Sequence, residues 1–239
     1  MKKKIIGILG GFGPESTAMF YQKIIQQCQE QYGAVYDADY PEMLIYNLPI
    51  PNIVDGLESP AETSRILIKG AKKLESFGSE MLAIPCNTAH YFAKDIENKI
   101  NIPLINIFTE TAKKINLEGY KRVGFLSTKT TIKYKSYGDN FEKYGITLIL
   151  SERQKEITEI IINLLAGKKL KEDKTRLKQI IRELKGKGAE AIVLGCTDFS
   201  TFIKQEEIDI KIVDTITILA EAIVQYSIGT TTATLSDPA

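Results

Sequence analysis

Short apolar, β-branched runs alternate along this chain with longer segments whose apolar residues recur at helical spacing. Strands buried on both faces read as continuous apolar runs, and parallel strands joined by crossover helices produce this alternation. The pattern predicts strands at KIIGIL (4–9), EMLIYN (42–47), EMLAIP (80–85) and PLINI (103–107), with helices near 15–31, 60–77 and 88–99. A second series follows in the same order. Its strands are RVGFLS (122–127), ITLILS (146–151), AIVLG (191–195) and IKIVD (210–214), and its helices lie near 130–143, 154–166 and 172–187. A last helical segment, TITILAEAIVQYSIG (215–229), stops at Gly229, a residue suited to ending a helix. The expected fold class is α/β: two similar domains, each a mostly parallel sheet flanked by helices. The first domain takes 1–112 and is joined by the C-terminal helix 213–229, and the second takes 113–212. Residues 230–239, small and polar, form a tail without amphipathic period.

Composition narrows the class of partner. A chain of 239 residues with 44% hydrophobic residues can bury one sizeable core or two modest ones. Thirty-one Lys and Arg against thirty Asp and Glu leave a formal net charge of +1, so no broad field attracts nucleic acid or an anionic membrane. A small molecule is the better partner. Cysteines at 28, 86 and 196 form no complete disulfide set and no zinc-finger spacing, which points to a reducing compartment. The opening MKKKIIGILGGFGPES breaks its apolar run at Gly10 and Gly11 and reads as a first strand rather than a signal peptide. No run approaches the roughly 20 apolar residues that span a bilayer, so a soluble, cytoplasmic protein is expected.

Three motifs carry candidate chemistry. In GILGGFGPEST (7–17) a strand enters a turn with Gly10, Gly11, Gly13 and Pro14 and then a helix. Glycines let backbone approach a ligand, and helix-start N–H groups favour an anion. The turn meets neither the dinucleotide fingerprint nor the phosphate-loop pattern, so a carboxylate fits better than NAD or ATP. A tight turn with no ligand is the alternative. The second and third motifs, AIPCNT and VLGCT, each end a strand in a cysteine with Thr within two residues. Cys86 and Cys196 thus sit at carboxyl ends of strands, where parallel sheets expose side chains to ligands and a helix start favours thiolate. One such cysteine is ordinarily a small core residue; two in matching positions point to function. Cys28, inside a helix, is assigned to the core.

The neighbouring residues are less specific. Cys86, His90, Cys196 and Asp198 offer a soft ligand set, but neither cysteine has a C-x-x-C partner and no metal is expected. His90 reads as a helix-start side chain bonding locally. Asn87, Thr88, Thr128, Thr131 and Thr197 are each a ligand donor or a helix cap. Lys168 and Lys169 read as solvated, with Lys168 able to reach a substrate carboxylate.

Taken together, GGFGP, PCNTAH and GCTD resemble the aspartate/glutamate racemase family, most closely its aspartate racemase branch, over nearly the whole chain. Glutamate racemases continue the second cysteine motif as G-C-T-H-Y-P, whereas TDFS follows Cys196 here. The resemblance implies a cofactor-independent, two-base racemase, a homodimer of pseudo-twofold α/β domains with the amino acid in the cleft between them. It makes Cys86 and Cys196 the acid/base pair, and Asn87, Thr88, Thr128 and Thr197 substrate contacts. Gly11 and Thr131 join these as donors to the carboxylate, with His90, Asp198 and Lys168 as supporting residues. Racemisation suits this set, because a proton leaves one face of the α-carbon and another arrives on the opposite face. Charge spreading onto the α-carboxylate would meet the glycine turn and nearby hydroxyls without pyridoxal phosphate or a metal. The leading expectation is conversion of L- to D-aspartate. Alternatives are a broader Asp/Glu racemase, a related cysteine-dependent isomerase or decarboxylase, and a small-carboxylate-binding protein. The chain departs from the branch in three places. Asn52 and Ile53 stand where P-D-R places Asp and Arg, Asp198 where a glutamate is usual, and Thr130 where a glycine is common.

Overall fold

The computed structural model describes residues 3–230, so all but the first residue of the expected tail lies outside the described residues. The first series of elements is β1 (Ile6–Gly10), α1 (Pro14–Tyr32), β2 (Met43–Asn47), α2 (Pro60–Ser76), β3 (Met81–Ala83), α3 (Ala93–Glu97) and β4 (Leu104–Ile105). Next come α4 (Ile107–Leu117), β5 (Arg122–Ser127), α5 (Lys129–Lys133), α6 (Gly138–Glu142), β6 (Thr147–Ile149) and α7 (Gln154–Leu165). The series closes with α8 (Lys171–Gly186), β7 (Ala191–Gly195), β8 (Lys211–Asp214) and α9 (Thr215–Ser227). Two four-stranded sheets result, in the orders β2-β1-β3-β4 and β6-β5-β7-β8, with every pairing parallel.

The chain divides into two compact units. Of the described residues, one holds 3–51, 58–107 and 216–230; the other holds Asn52–Leu57 and Phe108–Thr215. Central strands are buried on both faces: all five residues of β1 and all five of β7 are buried, as their unbroken apolar runs require. In the second unit Ile157, Ile160, Ile161 and Leu164 of α7 and Leu177, Ile180, Ile181 and Leu184 of α8 share one core with Ile192 and Leu194. Each such side chain contributes about 1.5–3 kcal/mol on burial, and the 3.6-residue spacing on both helices directs them to one side.

Three expectations need correction. PLINI does not run as a strand to 107: pairing stops at Ile105, and Ile107 begins α4, which periodicity did not predict. Phe108, Ala112 and Ile115, fully buried at helical spacing, carry that helix, and the adjoining apolar run masked its start. The helix expected at 130–143 is split into α5 and α6 at Lys135, whose φ of 47° lies in the left-handed region. The break turns Tyr137 onto the rings of Phe125, 4.9 Å away, and Phe141, 6.1 Å away. Aromatic burial there offsets the roughly 1–2 kcal/mol cost of a left-handed lysine. Finally, the segment 88–99 opens as a 3-10 helix, Thr88–Phe92, before α3.

At Gly11 the turn after β1 requires glycine twice over. Its φ is 101°, and a Cβ would lie 2.5 Å from the Leu48 nitrogen and 2.8 Å from its oxygen. Gly11→Ala should lower the unfolding free energy by about 3 kcal/mol or more, because strain and a backbone clash combine. Gly33→Ala is the control: φ is also positive (69°) but the surrounding space is open. It should cost only about 1 kcal/mol. Urea midpoints of the two variants measure the difference.

Candidate active site

In each sheet the chain steps from the first strand to one side and later from the third strand to the other. The carboxyl ends of those two adjacent strands mark the switch point where open parallel sheets bind ligands. In the first unit these are β1 and β3, paired at Ile8 and Ala83. The glycine turn follows one and Cys86 the other. In the second unit they are β5 and β7, paired as far as Ser127 and Gly195, so Thr128 follows one and Cys196 the other. The two cysteines occupy equivalent topological positions.

Cys86 is partly exposed. Its N–H donates to the Ile84 carbonyl at 2.8 Å, and its own carbonyl lies 2.8 Å from His90 Nδ1. His90 Nε2 accepts the Ile107 N–H at 3.2 Å. This pair of bonds fixes the neutral tautomer with the proton on Nδ1. His90 is only 4% exposed, and burial holds its pKa down at about 4, outweighing the Cys86 and Ile105 carbonyls that favour the charged ring. With both ring nitrogens engaged, His90 is not available as a base or a metal ligand. Asn87 and Thr88 are buried beside it at the start of the 3-10 helix.

Cys196 is 7% exposed, and its thiol donates to Asp198 Oδ2 at 3.3 Å. Two hydroxyls grip the strand just before it. Ser127 Oγ donates to the Gly195 carbonyl and Thr215 Oγ1 to the Leu194 carbonyl, each at 2.8 Å and each from a residue with no solvent exposure. Gln154 Nε2 donates to the Ser127 carbonyl at 3.0 Å. Thr197 is buried and opens a 3-10 helix, Thr197–Thr201. Among the described residues no group of three or more His, Cys, Asp or Glu is placed to hold a metal ion, and no helix is long and apolar enough to cross a membrane.

The remaining candidates are placed as follows. The Gly11 N–H donates to Thr17 Oγ1 at 3.0 Å, and the same hydroxyl donates to the Gly13 carbonyl, so Gly11 shapes the turn while its N–H serves α1. Thr128 caps α5, accepting the Thr131 N–H at 3.1 Å, with the two hydroxyls 3.0 Å apart. Thr130 donates to the Val54 carbonyl at 3.0 Å, anchoring the 52–57 loop to the second unit. Within that loop Asn52 Oδ1 accepts the Val54 N–H, and Ile53 is 5% exposed. Lys168 is exposed in the turn between α7 and α8, not in a loop that follows a strand. Cys28 lies in the core, where burial pushes its thiol pKa up. Sequence reasoning missed Thr17, Ser127, Gln154 and Thr215. Ser127 had a signal, a hydroxyl closing a strand that is apolar from Val123 to Leu126.

Residues 9–223 match the sequence model of the family described as Asp/Glu/Hydantoin racemase. The chain is 33% identical over 220 residues to the broad specificity amino-acid racemase RacX of Bacillus subtilis, covering 92% of this chain and 96% of that protein. Among solved structures it is similar to an aspartate racemase homologue from Pyrococcus horikoshii OT3, with a TM-score of 0.79 and 30% identity over 95% of this chain and 99% of the other. The aspartate racemase of Picrophilus torridus gives a TM-score of 0.76 and 25% identity over 94% of each chain.

The chain contains a single histidine, so its ionisation is directly readable. In a titration followed by NMR the imidazole signals of the untagged protein should stay at their neutral positions down to about pH 5. Unfolded His90 takes its proton near pH 6.5, the folded residue near 4. The stability this contributes is therefore complete above about 6.5 and is lost as pH falls towards 4, by about 3 kcal/mol in total. A ring that titrates near 6.5 in the folded protein would contradict the assignment.

Proposed function

The chain belongs to the Asp/Glu/hydantoin racemase family and is an amino-acid racemase, an isomerase; from that premise we propose that it works without a cofactor, with Cys86 and Cys196 as its two acid/base groups. The observation that supports this reading most is the topological equivalence of the two cysteines, each next to the switch point of its own sheet. One thiolate removes the α-proton, and the electron pair of the C–H bond passes into the α-carboxylate to give an enediolate. The other thiol then delivers its proton to the opposite face, and the two groups exchange protonation states. Asp198, which accepts the Cys196 thiol proton in a hydrogen bond, favours Cys196 as the group that rests as a thiol. Asn87, Thr88, Thr128, Thr131 and Thr197 supply amide and hydroxyl groups that donate to the substrate's carboxylate and accept from its ammonium, with Gly11 holding the turn.

Substrate breadth is a separate question. A racemase of aspartate needs a cation for the second carboxylate. In the first unit the loops after β1, β2 and β3 (residues 11–13, 48–59 and 84–87) contain no Lys or Arg, and in the second unit Arg153, in the loop after β6, is paired with Glu156 and Glu183. Ile53 is buried where the branch pattern places arginine. These observations favour a broad range that includes neutral amino acids, with aspartate as one substrate rather than the preferred one.

Single replacements test the pair. Cys86→Ala and Cys196→Ala should each reduce racemisation at least about a hundredfold, as expected for loss of one positioned acid or base, while circular dichroism of the fold is unchanged. Full activity in either variant excludes the two-thiol mechanism. A chiral-chromatography panel of neutral and acidic L- and D-amino acids measures the range; turnover of aspartate alone excludes the broad reading.

A further inference from the structure

The residue four places after each cysteine does the same job in both units. His90 follows Cys86, and Ser200 follows Cys196. Both lie within the 3-10 helix that carries the cysteine turn, and both are buried, at 4% and 6% exposure. His90 Nε2 accepts the N–H of Ile107, two residues beyond β4. Ser200 Oγ donates to Oδ1 of Asp214, the last residue of β8, at 2.6 Å. Each therefore ties the cysteine turn to the end of the fourth strand of its own sheet. The chemistry differs, an imidazole acceptor in one and a hydroxyl donor in the other, while the connection is the same. A shared connection made from unlike side chains is hard to attribute to packing alone.

The anchor points add a second regularity. Ile107 and Thr215 stand at two of the four places where the chain passes from one unit to the other, the other two being the ends of the 52–57 loop. Ile107 is bonded to His90. Thr215 directly follows Asp214 and also grips the Leu194 carbonyl, two residues before Cys196. On the first side His90 additionally holds the Cys86 carbonyl at 2.8 Å. The backbone next to each thiol is thus fixed to one of the two places where the chain leaves that unit.

We propose that His90 and Ser200 are positioning residues for Cys86 and Cys196 respectively, each setting the reach of one thiol towards the α-carbon. This rests on the reading of the two cysteines as the acid/base pair. Acid/base transfer tolerates little displacement, so loss of a tether should slow the step made by that thiol and leave substrate binding alone.

The test uses His90→Phe and Ser200→Ala in the full chain, with α-deuterated L and D forms of whichever amino acid the wild type racemises fastest. Each variant should lose at least tenfold in kcat with KM changed less than threefold. In His90→Phe the deuterium isotope effect on kcat/KM should rise for the enantiomer whose proton Cys86 removes and fall for the other. Ser200→Ala should give the mirror image and carries the test by itself if His90→Phe does not fold. A purely structural role would lower the melting temperature and the active fraction and move both isotope effects together or not at all, and that result overturns the proposal. Cys86→Ala and Cys196→Ala assayed in parallel separate the two ideas. If they are inactive and the directional isotope effects are missing, only the tether proposal fails; if they are active, the acid/base reading itself fails.

Discussion

A buried parallel strand that ends beneath the surface leaves backbone carbonyls that must find donors, because an unpaired buried polar group costs as much as a lost hydrogen bond or more. In this protein several of those donors are side chains, and they are gathered around two cysteines. His90 satisfies the carbonyl of Cys86, while Ser127 and Thr215 satisfy Gly195 and Leu194 ahead of Cys196. The bonds that hold the strand ends are the same ones that, on the proposed reading, set where each thiol can reach.

The two units repeat the topology and differ in the chemistry applied to it. Cys86 is partly exposed, and its turn is held by a neutral imidazole; Cys196 is nearly buried and donates to a carboxylate. A two-base racemase needs its two groups in opposite protonation states at the start of every turnover. Unequal surroundings on an equivalent framework provide a ready preference for one of them. The neutral His90 adds no charge beside Cys86, so the asymmetry comes from the Asp198 carboxylate next to Cys196.

Much of this was legible in the sequence, for physical reasons. Strands buried on both faces must be continuous apolar runs, so β1, β5 and β7 were visible, as were the long amphipathic helices α1, α2, α7 and α8. Cys86 and Cys196 stood out because each ends such a run. The placement of α4 was hidden, since the apolar residues of β4 and of its own buried face run together with only Asn106 between them. The break at Lys135 was hidden because it depends on where Tyr137 finds other rings. Supporting residues such as Thr17, Ser127 and Thr215 were illegible in principle: a threonine that grips a carbonyl and one that faces water are the same letter. The glycine turn shows the reverse case, where Gly11 was read for its N–H and the structure uses that N–H on Thr17.

The most direct test of the central claim, two thiols acting on one α-carbon, is the early time course of racemisation in D2O. With an undeuterated L-amino acid the first D product should carry deuterium in full, while the unreacted L substrate still carries its original proton. Each proton would then have left to one thiol and been replaced from the other, already exchanged with solvent. Retention of the original proton in the product, or equal deuterium in substrate and product from the start, would contradict the account.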